Sequence, residues 1–222
     1  MVPGRPLLQL TNICKSYRGP SSTLSVLENV NLEIEAGQKV SLIGASGSGK
    51  STLLSLVAGL LRPDSGSIDV DGVAIESLDD SARAARRAEQ IGVVLQSENL
   101  VPFLTAVENV ELAMAFANED RPRNRARQLL DQFGVDHRRD HLPRHLSGGE
   151  AQRVAIAVAL ANEPALLLAD EVVGALDSST ADKVVDIIFE SDLAVLFVTH
   201  NIELAQRAEQ CLRLADKKVV PA

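Results

Sequence analysis

Apolar and polar positions alternate along residues 7–17 (LLQLTNICKSY) and 26–35 (VLENVNLEIE), the two-residue period of strands with one covered face. Ala36-Gly37-Gln38 reads as a tight turn, and Lys39–Ile43 reads as a short buried strand. Three strands in a row before the first long helix predict an antiparallel β layer at the start of the chain. From Ser51 the period changes to that of an amphipathic helix, expected to run to about Leu60, where Arg62-Pro63-Asp64-Ser65-Gly66 stops it. Residues 67–72 read as a hairpin strand and turn, 81–88 as a short charged helix, and 90–95 as a second apolar strand ending at Gln96.

Between about 97 and 163 the pattern is nearly all helical. Thr105 with Glu108 three residues on forms a capping box before AVENVELAMAFA. A second helix is expected over 121–133, closed by Gly134, and a long Ala/Val/Ile helix follows Leu146-Ser147-Gly148-Gly149-Glu150. Strands then return: Ala165–Ala169 is apolar without interruption, as a parallel strand covered on both faces should be. Residues 178–190 repeat apolar positions every 3.6 residues, 193–198 is another buried strand, and a last helix and two short strands close the chain. Strands alternating with helices after residue 37 predict a mainly parallel sheet. The expected fold is therefore α/β, a core with a mainly parallel sheet and an N-terminal antiparallel β layer. Residues 1–222 are expected to form a single domain, with a helical subdomain inserted at about 97–163.

Composition narrows the function classes. The net charge of −8 disfavours nucleic acid and anionic lipid as direct partners, since both attract basic surfaces. No apolar run approaches the ~20 residues of a membrane-spanning helix, and the N-terminus shows no signal-peptide pattern. Cytosolic residence is expected, with any membrane attachment running through a protein partner. Cys14 and Cys211 lie far apart and read as half-buried strand thiols; the clusters at Arg83/Arg86/Arg87 and 121–127 read as solvated helix faces. His137, His141 and His145 have i,i+4 spacing, but Pro143 interrupts any helix and no carboxylate or Cys framework supports a metal face, so they read as a solvated loop.

The chemistry centres on Gly44-Ala45-Ser46-Gly47-Ser48-Gly49-Lys50-Ser51, followed by Thr52. The spacing G-x-x-x-x-G-K-[ST] sits between a strand and a helix, as a phosphate-binding loop requires. Its glycines let backbone N–H groups approach phosphate oxygens at the positive end of the helix. Lys50 can reach the terminal phosphates, and Ser51 can ligate Mg²⁺. Three strands expected to be parallel end in polar residues: after Ile43 at the glycine-rich loop, after Ala169 at Asp170-Glu171, and after Val198 at Thr199-His200. Ligands of such sheets lie beyond the carboxyl ends of the strands, so Asp170, Glu171 and His200 are expected to face the phosphates. Asp170 suits Mg²⁺, Glu171 an attacking water, His200 a γ-phosphate, and Gln96 the metal. Ser147-Gly148-Gly149 opens a second helix end suited to a phosphate, which the nucleotide of another copy or of a paralogue would supply.

These residues carry a resemblance to the ATP-binding cassette (ABC) ATPases over essentially the whole chain. The phosphate loop at 44–51, Gln96, the Leu146–Glu150 signature, LLLAD at 166–170, Glu171, Ala175-Leu176-Asp177 and His200 match the family's motifs in order and spacing. Tyr17 matches its adenine-stacking aromatic. The stretch 96–112 looks most like the subgroup serving lipoprotein release, macrolide or antimicrobial-peptide export, and cell division. The chain departs from the family at Val172-Val173, where Pro-Thr is usual, and at Val158, where Arg is common. The resemblance implies an ATPase using ATP and Mg²⁺, peripheral at the cytoplasmic face of a membrane beneath a separate permease. It implies a second ATP-binding subunit, an identical copy before a paralogue, whose signature residues face the nucleotide. A nucleotide-gated scaffold of the cell-division type, transporting nothing, is the alternative. DNA-maintenance and translation relatives usually carry a coiled-coil insertion before the signature; only 49 residues (97–145) separate Gln96 from Leu146 here.

Overall fold

The computed structural model describes residues 5–19, 22–95, 100–117 and 124–222. In chain order they form β1 (Leu8–Arg18), β2 (Thr23–Ile34), β3 (Lys39–Ile43), α1 (Lys50–Val57), β4 (Ser65–Val70), β5 (Val73–Ala74), α2 (Asp80–Gln90) and β6 (Ile91–Val94). Then follow α3 (Ala106–Ala115), α4 (Arg125–Gln132), α5 (Gly148–Ala159), β7 (Leu166–Asp170), α6 (Ser178–Phe189), β8 (Ala194–Val198), α7 (Ile202–Gln206), β9 (Gln210–Ala215) and β10 (Lys218–Pro221). Single 3₁₀ turns occupy Ile75–Ser77, Asp136–Arg138 and Pro143–His145. The chain divides into two compact units, Met1–Ala84 with Ala194–Ala222, and Ala85–Leu193.

In the first unit an antiparallel sheet has the order β2-β1-β4-β5. The third early strand does not join it, contrary to the reading of three consecutive strands as one layer. Instead β3 pairs in parallel with β8 and β9, and β10 closes onto β9 antiparallel. The physical reason is burial: Lys39 to Leu42 are all buried, and Ser41 satisfies its hydroxyl on Ala205 O at 3.0 Å. Such a strand belongs inside a sheet covered on both faces.

The helix after the phosphate loop is shorter than expected, ending at Val57. Gly59 turns the chain with φ +65°, and Leu60 and Leu61 both donate to Ser55 O. Arg83 lies over that glycine: a Cβ on Gly59 would meet Arg83 Cγ at 2.9 Å. Its side chain is only 12% exposed and its guanidinium holds Asp80 at 2.6 Å, so Arg83 is no solvated face.

The second unit joins β6 and β7 in parallel, with α3, α4 and α5 and the two 3₁₀ turns between them in sequence. Every residue of β7 is buried, Asp170 included. The expected capping box at Thr105 and Glu108 is present in both directions. The far end of α5 packs at backbone distance on β6, since a Cβ on Gly92 would come within 2.5 Å of Ala159 O. Asn162 just beyond donates its amide to Ala88 O at 3.0 Å and Ala113 O at 2.8 Å. Cys14 and Cys211 are half-buried free thiols on β1 and β9. Among the described residues no helix is long and apolar enough to cross a membrane.

Candidate functional site

The phosphate loop leaves β3 at Ile43 and enters α1 at Lys50. Gly49, the residue before the helix, has φ +108°, a conformation that an L side chain rarely adopts. A Cβ there would also strike Val26 Cγ1 at 2.6 Å. No side chain caps α1 and no acidic residue stands in its first turn. A helix start with a glycine N-cap and no acidic first turn presents its amides and its positive dipole end to an anion.

Lys50 is buried, and its ammonium donates to Gly44 O at 2.8 Å and Ala45 O at 2.9 Å. An ammonium has three N–H bonds, so these contacts aim the side chain along the loop and leave one for a phosphate oxygen. Ala45, Ser46 and Gly47 are exposed, Ser48 Oγ is buried without a hydrogen-bond partner, and Ser51 is exposed at the helix start. Tyr17 near the end of β1 is 42% exposed, and its hydroxyl lies 3.4 Å from Thr52 Oγ1. That contact ties the aromatic ring to the residue after Ser51. In the same unit, Thr199 is buried and its N–H reaches Leu42 O at 3.4 Å, while His200 is exposed just beyond β8.

In the second unit, Asp170 closes β7. Glu171 follows with φ +54°, a left-handed conformation uncommon for a residue with a side chain, and Gly174 N–H returns to its carbonyl at 3.0 Å. This tight turn sets the carboxylate that follows the strand. It is also where Val172 is buried, in the place at which the family usually has Pro. Asp177 ends the next turn and caps α6, accepting from Thr180 N–H at 3.1 Å and from Ser179 Oγ at 2.7 Å. Those donors hold its carboxyl down at about 2.

The signature residues form the start of α5. Ser147 is the N-cap in extended conformation, and its Oγ accepts Glu150 N–H at 3.2 Å while Glu150 Oε2 accepts Ser147 N–H at 2.8 Å. Glu150 Oε1 takes Arg138 Nε at 2.8 Å. The Ser147 backbone hydrogen bond, then the Arg138 guanidinium, lower the Glu150 carboxyl to about 2. Ser147 and Gly148 are exposed. Gly149 is packed tightly: a Cβ would lie 3.2 Å from Leu176 Cδ2 and 3.3 Å from Ala175 O, so the signature start rests directly on the turn that ends in Asp177.

The structure thus gathers Tyr17 with the 44–52 loop, and Leu146–Glu150 with the 175–177 turn. Gln96 lies outside the described residues. Glu150, expected to face a ligand, instead directs its carboxylate to the helix start and Arg138. The Ser147-x-x-Glu150 spacing already spelled that capping box. Arg138 carried no signal of its own, because it comes from a segment without periodicity while its partner Glu150 lies in the first turn of α5. Mg²⁺ prefers hard oxygens, and Ser51 in the first unit carries a hydroxyl while Asp170 in the second carries a carboxylate. Among the described residues no cluster of three or more His, Cys, Asp or Glu side chains could hold a metal ion.

Residues 27–174 match the profile of the family described as ABC transporter. The lipoprotein-releasing system ATP-binding protein LolD of Gluconobacter oxydans is 44% identical over 224 residues, covering 98% of this chain and 97% of the relative. The uncharacterized ABC transporter ATP-binding protein YbbA of Escherichia coli K12 is 42% identical over 221 residues, 97% of each. Among solved structures, the dimeric post-hydrolysis state of the ATP-binding cassette MJ0796 bound to ADP and Pi matches with a TM-score of 0.90 and 39% identity, over 96% of each chain. MJ0796 is a protein of Methanocaldococcus jannaschii.

Proposed function

The chain belongs to the ABC transporter family, as an ATP-hydrolysing, ATP-binding subunit, and on that premise we propose that two copies close on two MgATP to drive a separate membrane permease. The observation that carries this reading is the uncapped start of α1, with buried Lys50 aimed along its loop. Gly44 to Ser51 cradle the phosphates, Thr52 supports the helix start, and Tyr17 stacks on the base. Ser51 and Asp170, with Gln96 as a further ligand, would hold Mg²⁺, which would supply charge neutralisation at the phosphates when bound. Glu171 accepts a proton from the attacking water, and His200 donates a hydrogen bond toward the γ-phosphate. The opposite copy presents Ser147, Gly148 and Gly149, flanked by Leu146 and by its Asp177 turn. The solved dimer of MJ0796 with ADP and Pi supports a paired, hydrolytic cycle.

The likeness to LolD favours an export or mechanical role, with the chain peripheral at the cytoplasmic face through its permease and binding no nucleic acid. The test is Glu171→Gln, which keeps shape and removes the acceptor charge. With MgATP, size-exclusion should move it to twice the monomer mass, and ADP should not. Adding Ser147→Arg should return it to monomer with ATP still bound. A Glu171→Gln chain that hydrolyses ATP at the parental rate with its permease would refute the catalytic assignment.

A further inference from the structure

The start of α5 is held by more than its own capping box. Glu150 divides its carboxylate: Oε2 accepts Ser147 N–H at 2.8 Å, and Oε1 accepts Arg138 Nε at 2.8 Å. Arg138 ends a 3₁₀ turn over Asp136–Arg138 that is itself pinned, because Val107 N–H donates to Arg139 O at 2.9 Å and Ala106 N–H to His141 O at 2.9 Å. The guanidinium thus spans from the chain segment seated on the beginning of α3 to the beginning of α5. A second nitrogen, Nη1, lies 3.5 Å from His141 Nε2, while His137 Nε2 stands 3.6 Å from Glu150 Oε1. Glu150 is 13% exposed and Arg138 38%, so the pair is partly sheltered from solvent.

Ser147 Oγ acts as acceptor within the box, taking Glu150 N–H. A hydroxyl has one proton to donate, and the Glu150 carboxylate is also a partner of the Ser147 side chain, so the carboxylate governs where that proton is offered at the exposed helix end. How steadily it is offered depends on the Glu150 carboxylate keeping its orientation, and Arg138 fixes that orientation.

We propose that Arg138 is a positioning residue for the closed state: through Glu150 it holds Ser147 in the one orientation that meets the phosphate of the opposing nucleotide. Its role is to orient Ser147 through Glu150, and it acts after ATP has bound. This rests on the paired-cassette reading above.

The experiment uses the full chain carrying Glu171→Gln, with Arg138→Met, Arg138→Gln and Arg138→Lys added in turn. Melting temperature and the MgATP affinity of the dilute monomer are measured first, then the MgATP-dependent dimer dissociation constant by analytical ultracentrifugation. The Met and Gln variants should bind MgATP within about twofold of the parent yet dimerise at least about tenfold more weakly, the size of one hydrogen bond to a charged group. Arg138→Lys, which restores the cation but not the fork, should recover most of that loss. If Arg138→Met does not fold, Arg138→Gln decides alone, since it keeps a polar side chain of similar reach. Parental dimerisation by a folded neutral variant overturns the proposal, as does a loss matched by an equal loss of monomer MgATP affinity. Absence of dimer in the Glu171→Gln parent itself would instead defeat the paired-cassette reading.

Discussion

Two helices of this chain begin at ends suited to phosphate, and they are built in opposite ways. The start of α1 has a left-handed glycine, no side-chain cap and no acidic residue in its first turn. The start of α5 has a serine cap, a reciprocal carboxylate and an arginine behind it. The first is built to take an anion, since its N-cap is a glycine with no side chain to cap the leading amides. The second already holds a negative charge at the positive end of its dipole and is stable by itself. The difference fits a division of duties. An end that depends on phosphate suits tight, lasting retention of nucleotide. A self-sufficient end can meet a phosphate and leave it again without unravelling.

The contrast can be broken most directly at Lys50. Lys50→Ala should lower MgATP affinity by at least about a hundredfold, because it removes a buried cation at the phosphates, while the circular-dichroism spectrum stays unchanged. Near-parental affinity would mean that α1 is not the retaining end.

Gly49→Ala comes next. It places a Cβ 2.6 Å from Val26 Cγ1 at φ +108° and should cost about 2 kcal/mol in denaturant unfolding. A variant as stable as the parent would show that the left-handed entry to α1 is not required.

The smallest effect sharpens the other side. The Glu150 carboxyl is lowered from 4.5 to about 2, so its contribution is complete above about 4.5 and is lost as pH falls from there toward 2. Glu150→Gln can still close the capping box but cannot titrate, and it should cost about 1 kcal/mol at neutral pH. Melting curves of the variant should be flatter with pH across that acid window than those of the parent. Curves that run parallel would remove the carboxylate from the account of α5.

Much of this was legible in the chain. The G-x-x-x-x-G-K-S spacing between a strand and a helix announces the phosphate loop, and Thr105 and Glu108 announce α3, because both are local in sequence. The placement of β3 was not legible: an apolar run says that a strand is covered, not which neighbours cover it. The left-handed Glu171 escaped notice for a related reason. Glutamate has no preference for positive φ, so the turn is imposed by its surroundings. Arg83 looked solvated because its charge is visible in sequence and the glycine beneath its stem is not.

The close seating of β6 on α5 has a mechanical consequence. At Gly92 the two elements touch through backbone, and Asn162 fastens the same end of the helix to the carbonyls of Ala88 and Ala113. Backbone in contact with backbone has no rotamer with which to absorb a sliding motion. The 12 residues of α5 rise about 18 Å from Ala159 to the exposed Ser147 end. The helix is therefore a strut, clamped to β6 at one tip and steadied by Arg138 and the 175–177 turn at the other, and a tilt of a few degrees at the clamp displaces the serine and its supports by about an ångström or more.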